Sequence, residues 1–319
     1  MEPIAHLRVR QDGVLTRRQL LTSGLSPNDV RRQLRRRDLT PVHPGVYVDH
    51  TGPLTAQQRR WAGVLSVWPA ALSHGSALPQ ATGTEHPVHV SVERERSPRV
   101  TPPWVRLHHT SDLAQRVRWS ASPPRVRVEH ASLDVAAGLT EDMEVLEVLA
   151  SVVRSRHTTA ARLLDALGSR PRHAGRELVE GLLRDIADGT CSVLEREYRV
   201  RVEEPHGLPP AARQLQVVEH GRSRYRDVDY APYGVVVELD GRTFHADLAQ
   251  HDDDLERDLA TALDRRTTVR VGWGQVFRRA CRTAGRIGTL LQVSGWPGSP
   301  RTCPECRPGD VVPRIGAAG

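Results

Sequence analysis

The sequence predicts an α+β protein of several domains. Three observations carry that expectation: two capped helices and a short hairpin at the N-terminus, a middle in which alternating apolar stretches precede helical ones, and a C-terminal part where strand-like segments are interleaved with helices. The 319 residues exceed one ordinary domain, and 38% apolar with 26% charged residues is a globular balance that excludes wholesale disorder. Four divisions are expected: 1–50, 51–188, 189–296, and a Pro/Gly-rich tail at 297–319 that reads as disordered.

Charge and composition narrow the function classes. All 45 basic residues are arginine, and the absence of lysine excludes Schiff-base chemistry and a phosphate-loop NTPase. The net charge of +7 favours a polyanionic partner, although a GC-rich coding sequence would also raise the arginine content. The charge is uneven: residues 1–50 hold 9 Arg against 5 acids, residues 190–258 hold 9 against 15, and residues 259–296 hold 7 against 1. Trp61–Leu72, the longest weakly polar stretch, is far short of the roughly 20 residues of a membrane span. Met1-Glu2-Pro3 does not begin a secretion signal, so a cytoplasmic protein with reduced thiols at Cys191, Cys281, Cys303 and Cys306 is expected.

At the N-terminus, Thr16-Arg17-Arg18-Gln19 has capping-box form and starts a helix over about 17–23 that Gly24 stops. Ser26-Pro27-Asn28-Asp29 then starts a second helix, with Val30 and Leu34 as its buried stripe and Arg31, Arg32, Arg35, Arg36 and Arg37 around them. Leu39–Val42 and Val46–Val48 bracket His43-Pro44-Gly45 as a hairpin. Helix, turn, basic helix and hairpin make a winged helix-turn-helix, whose second helix would set those five arginines against phosphates and guanine edges of DNA; a solvated helix is the plainer alternative. The segment, above all Val42-His43-Pro44-Gly45-Val46-Tyr47, resembles the N-terminal domain of AbiEi-type antitoxins, which implies DNA binding and a cognate toxin as partner.

In the middle, a helical stretch runs from Trp61 towards Leu78, and Val88–Val92, Trp104–His108 and Val126–Glu129 read as strands. Residues 129–134 also resemble the body of AbiEi-type proteins. His74, His108, His109 and His130 have no familiar metal-site spacing and read as ordinary histidines. Residues 142–188 are helical in pattern, with Thr158-Thr159 starting one helix and Gly189 ending another.

The densest chemistry follows Ser192. Ser192-Val193-Leu194-Glu195 is a capping box, which by itself accounts for Glu195, so a catalytic role there stays an alternative. Tyr225–Tyr230 and Val235–Asp240 flank Ala231-Pro232-Tyr233-Gly234 as a hairpin, and pairing Tyr230 with Val235 sets Asp227 against Glu238. Asp227, Asp229, Glu238 and Asp240 then share one face, and Val228, Val235, Val237 and Leu239 the other. Opposed carboxylates, with Cβ atoms about 5 Å apart, cost a sheet roughly 0.2–1 kcal/mol. Either solvent or a hard cation, Mg2+ or Mn2+, would compensate.

Residues 192–296 resemble the Vsr-like branch of the PD-(D/E)XK nuclease superfamily, in particular the domain of unknown function 559. The likeness rests on Ser192-x-x-Glu195, Arg226-Asp227, Glu238-Leu239-Asp240-Gly241 with His245, Arg257-Asp258 and Val269-Arg270. It implies a restriction-endonuclease-like α/β domain in which Asp227 and Glu238 hold Mg2+ and His245 moves protons; Asp240 is expected as an additional metal ligand or base, and Glu195 as an assisting group. Asp240 stands where the superfamily has lysine, a departure that bears on ordinary catalysis. The expected activity is metal-dependent DNA hydrolysis, with Arg265, Arg266, Arg270, Arg278, Arg279, Arg282 and Arg286 gripping phosphates; the alternatives are an RNA substrate and a non-enzymatic regulator on a retained nuclease scaffold. Cys303-Pro304-Glu305-Cys306 is a single C-x-x-C with no second pair nearby, which argues against zinc.

Overall fold

The computed structural model describes residues 4–79, 87–98, 100–188, 190, 192–219, 222–240 and 266–311. The chain forms two compact units, Met1–Gly138 with Ser155–Ala174 and Leu139–Arg154 with Gly175–Gly319.

The first unit begins with α1 (Ile4–Arg10), β1 (Val14–Thr16), α2 (Arg17–Thr22), α3 (Pro27–Arg36), β2 (Thr40–His43) and β3 (Val46–Val48). The strands form a sheet ordered β1-β3-β2, which puts the expected hairpin in place and adds β1 to it. Leu15, Leu20, Val30, Leu39 and Tyr47 form the core beneath the helices. Val14, Val46 and Val48 pack instead with Trp61, Ala62 and Leu65 of α4 (Ala56–Ser66).

A five-stranded sheet follows, ordered β6-β5-β4-β8-β7. It contains β4 (Ala71–Leu72), β5 (Val88–Glu93), β6 (Val105–Thr110), β7 (Val117–Arg118) and β8 (Arg125–Val126), with α5 (His74–Ala77) and α6 (Leu113–Arg116) between strands. Two expectations change here. The helix containing Trp61 stops at Ser66, because Pro69 offers no amide and restricts the residue before it. The strand expected over Val126–Glu129 ends at Val126, and α7 (Val128–Ala136) takes up the rest. α9 (Ala160–Gly168) completes this unit, capped by the Thr159 hydroxyl.

The second unit holds α8 (Asp142–Arg154), α10 (Arg176–Asp188), α11 (Ser192–Tyr198), a π-helical turn at Arg199–Glu203 and α12 (Glu204–His206), which Gly207 ends at φ +61°. Then come β9 (Ala212–Glu219), β10 (Arg222–Tyr230), β11 (Val235–Asp240), β12 (Thr267–Gly272), α13 (Trp273–Phe277) and α14 (Ala280–Val293). The sheet order is β12-β11-β10-β9, antiparallel except for the parallel β11–β12 pair. Val228, Val235, Val237 and Leu239 are buried, as alternation requires.

The described part of the expected disordered tail is instead seated on α14. A Cβ at Gly288 would lie 2.7 Å from the Pro300 ring, and one at Gly285 would collide with the Asp310 carbonyl, so these helix glycines admit the returning chain. Among the described residues, no helix is long and apolar enough to cross a membrane.

Candidate functional site

The two basic helices are built as their sequences dictate. The Thr16 hydroxyl accepts the Gln19 amide at 3.1 Å and the Gln19 carboxamide returns to the Thr16 amide at 2.8 Å. Gly24, at φ +98°, turns the chain into α3. There the Ser26 hydroxyl accepts the Asp29 amide at 3.2 Å while Asp29 accepts the Ser26 amide at 3.0 Å, with Pro27 in the first turn. Bonds from the Ser26 hydroxyl and amide, assisted by Arg32 at 2.6 Å, hold the Asp29 carboxyl below its ordinary range. Arg37 closes the helix in the left-handed conformation at φ +63°.

Val30 and Leu34 turn α3's apolar stripe into the core. Arg31, Arg32, Arg35, Arg36 and Arg37 are all exposed, and Arg17 and Arg18 of α2 are exposed beside the turn. Guanidinium forks presented this way match phosphates and the O6/N7 edge of guanine.

The carboxylates of the second unit lie on the expected strands. Val228 faces Val237, Asp229 faces Val236 and Tyr230 faces Val235. Each of three acids has a partner in or beside the sheet. The Asp227 carboxylate accepts the Leu239 amide at 2.7 Å, Arg270 of β12 reaches Glu238 at 3.4 Å, and Arg266 reaches Asp229 at 2.5 Å. Asp229 is only 2% exposed, so the acidic face is partly core. Among the described residues, Asp227, Glu238 and Asp240 do not form a group of three ligand atoms within 4.8 Å of one another.

The remaining site residues scatter. Glu195 is half-buried on α11, whereas Glu203 is buried, accepts the Tyr230 hydroxyl at 2.7 Å and pairs with Arg213. Tyr198 joins through its hydroxyl, 3.3 Å from that of Tyr230. His245, with Gly241, Arg257, Asp258 and Arg265, lies outside the described residues. Of the arginines expected to grip phosphate, Arg266 and Arg270 serve the sheet acids, Arg278 meets Glu147 at 3.2 Å and Arg282 approaches Asp310 at 3.7 Å; Arg279 and Arg286 are exposed.

Two ligand clusters escaped sequence reasoning. Nitrogens of His74, His89 and His108 lie within 4.8 Å of one another. His89 Nδ1 is 2.9 Å from His108 Nε2, and the His74 and His108 rings stack at 3.7 Å. Burial, then neighbouring positive groups, pushes His74 and His108 down to about 4; burial with Arg170 and Arg116 does the same to His130. The other cluster joins His206 and Cys281 to Cys303 and Cys306, so the C-x-x-C is not a lone pair. Only its C-x-x-C half is a local motif, since His206 and Cys281 stand alone in the sequence.

No curated protein matches the chain. Residues 2–48, the segment that carries α1 to β3, match the family model described as transcriptional regulator, AbiEi antitoxin.

Proposed function

We propose that the protein is a DNA-binding regulator of antitoxin type that reads its operator with α3. The observation that carries this reading is the outward set Arg31, Arg32, Arg35, Arg36 and Arg37 on the second helix of a helix-turn-helix whose apolar side is anchored in the core. Phosphate contacts from such arginines supply salt-dependent affinity, and bidentate contacts to guanine supply specificity. A cognate toxin is the protein partner that the family match adds to this reading.

The test is retardation of DNA from upstream of the protein's own gene by the full chain. Changing Arg31 and Arg35 together to Ala should weaken binding about tenfold or more, and each lost phosphate contact should lower the salt slope by about 1. Retention of full affinity by that variant, or no DNA retained at low salt by the native protein, would sink the reading.

The endonuclease reading rests on the resemblance of residues 192–296 and on the neighbouring placement of Asp227 and Glu238. In that reading Asp227 and Glu238 would hold Mg2+, which takes one or two protein carboxylates and completes its shell with water and phosphate oxygens. Calorimetric titration with Mg2+ and Mn2+, native against Asp227→Ala/Glu238→Ala, decides it: saturable binding lost in the variant supports the nuclease, and no binding with DNA present removes it.

A further inference from the structure

We propose that His206, Cys281, Cys303 and Cys306 hold one structural zinc ion. Cys281 Sγ lies 3.6 Å from Cys303 Sγ, Cys303 Sγ lies 3.7 Å from Cys306 Sγ, and Cys306 Sγ lies 3.5 Å from His206 Nε2. A tetrahedral ion with bonds of about 2.3 Å to sulfur and about 2.0 Å to nitrogen sets sulfurs roughly 3.8 Å apart and nitrogen roughly 3.5 Å from sulfur. The observed edges are those of that tetrahedron. A disulfide would instead require a sulfur pair at about 2.0 Å, and three thiols near one another leave one over in any pairing.

The surroundings orient each ligand. His206 is fully buried, and its Nδ1 lies 2.9 Å from the Val202 carbonyl. That bond places the proton on Nδ1 and leaves the Nε2 lone pair towards the sulfurs, the outer-sphere arrangement that metal-bound histidine uses. Cys303 and Cys306 sit on one turn, closed by the Cys306 amide on the Cys303 carbonyl at 3.1 Å, and the Cys303 amide donates to Cys306 Sγ at 3.2 Å. The Arg301 amide donates to the His206 carbonyl at 2.8 Å, which ties the turn to the end of α12. Cys281 comes from the first turn of α14.

The donor set selects the metal. Three thiolates and one imidazole are soft ligands suited to Zn2+ rather than Mg2+ or Ca2+, and four protein ligands leave no open position for a substrate, so the role is structural. On binding, the ion displaces the thiol protons, which pass to solvent. It clasps three segments, α12, α14 and the 303–306 turn, that the chain separates by up to 100 residues.

Elemental analysis of the full-length protein, purified under reducing conditions, should find one zinc per chain. Cobalt exchanged into the native protein should give the strong visible absorption of a tetrahedral site and a thiolate-to-cobalt charge-transfer band, a readout that does not depend on any variant folding. Cys303→Ser and His206→Gln should lose zinc, while Cys191→Ser should keep it. Native protein that is folded yet carries no zinc and takes up no cobalt would overturn the proposal, as would full zinc content in Cys281→Ser/Cys303→Ser.

Discussion

Asp229 shows what one residue can demand of its neighbours. Its carboxylate is 2% exposed and meets the Arg266 guanidinium at 2.5 Å. Removing one partner of a buried pair strands the other charge, at a cost of about 3–5 kcal/mol. Asp229 keeps other contacts and Arg266 is 20% exposed, so Arg266→Ala should lower the urea midpoint by less than that limit, and adding Asp229→Asn should recover part of the loss; an unchanged midpoint for the single variant would show that the pair contributes nothing in solution. The histidines make a pH prediction with a definite sign. His74, His108 and His130 fall from 6.5 to about 4 on folding, so between those values the unfolded chain binds more protons. Their contribution is fully present above about pH 6.5 and is lost as the pH falls towards 4. The thermal midpoint should drop between pH 7 and pH 5, and His108→Asn should shrink that drop; equal drops in both proteins would remove the histidines as its cause.

Among the elements, α3 owes its start to one hydroxyl. Ser26→Ala removes the cap on the Asp29 amide and should cost about 1 kcal/mol, read by denaturant unfolding of the full chain, with weaker DNA retention alongside it. This helix was legible because its cap, its proline and its Val30/Leu34 spacing are local signals that agree. The β10–β11 register was legible for the same reason: a short loop and strict alternation leave one pairing that buries Val228 and Val237 together. The short strand β4 was not, since it has two residues and one of its partners, β8, lies far along the chain. The partners of the acids were hidden likewise. Arg270 faces Glu238 only through the parallel register of β11 and β12, which no adjacent residues encode.

On the scale of the whole molecule, the local and the distant separate. The N-terminal fold and its exposed arginines could be read from about fifty consecutive residues, whereas the His206–Cys306 cluster needs the tertiary fold to exist first. The glycines that seat the tail against α14 make a further prediction. Gly288→Ala should destabilise the second unit, because its Cβ would lie 2.7 Å from the Pro300 ring, and hydrogen exchange should quicken in α14 and residues 300–310 but not in α3. Exchange quickening equally in α3 would mean that the variant loosens the entire chain.

The division into two units also governs how the protein can be made. The chain leaves the first unit after Gly138, builds α8 in the second, returns at Ser155 and leaves again after Ala174. During synthesis α8 therefore emerges before α10 and α13, against which it packs, with Met143, Leu146, Leu149 and Val152 still to be covered. A ribosome paused shortly after residue 154 would hold a sticky helix with no place to go, and a fragment ending at residue 174 would keep that helix as a permanent invitation to chaperones or aggregation.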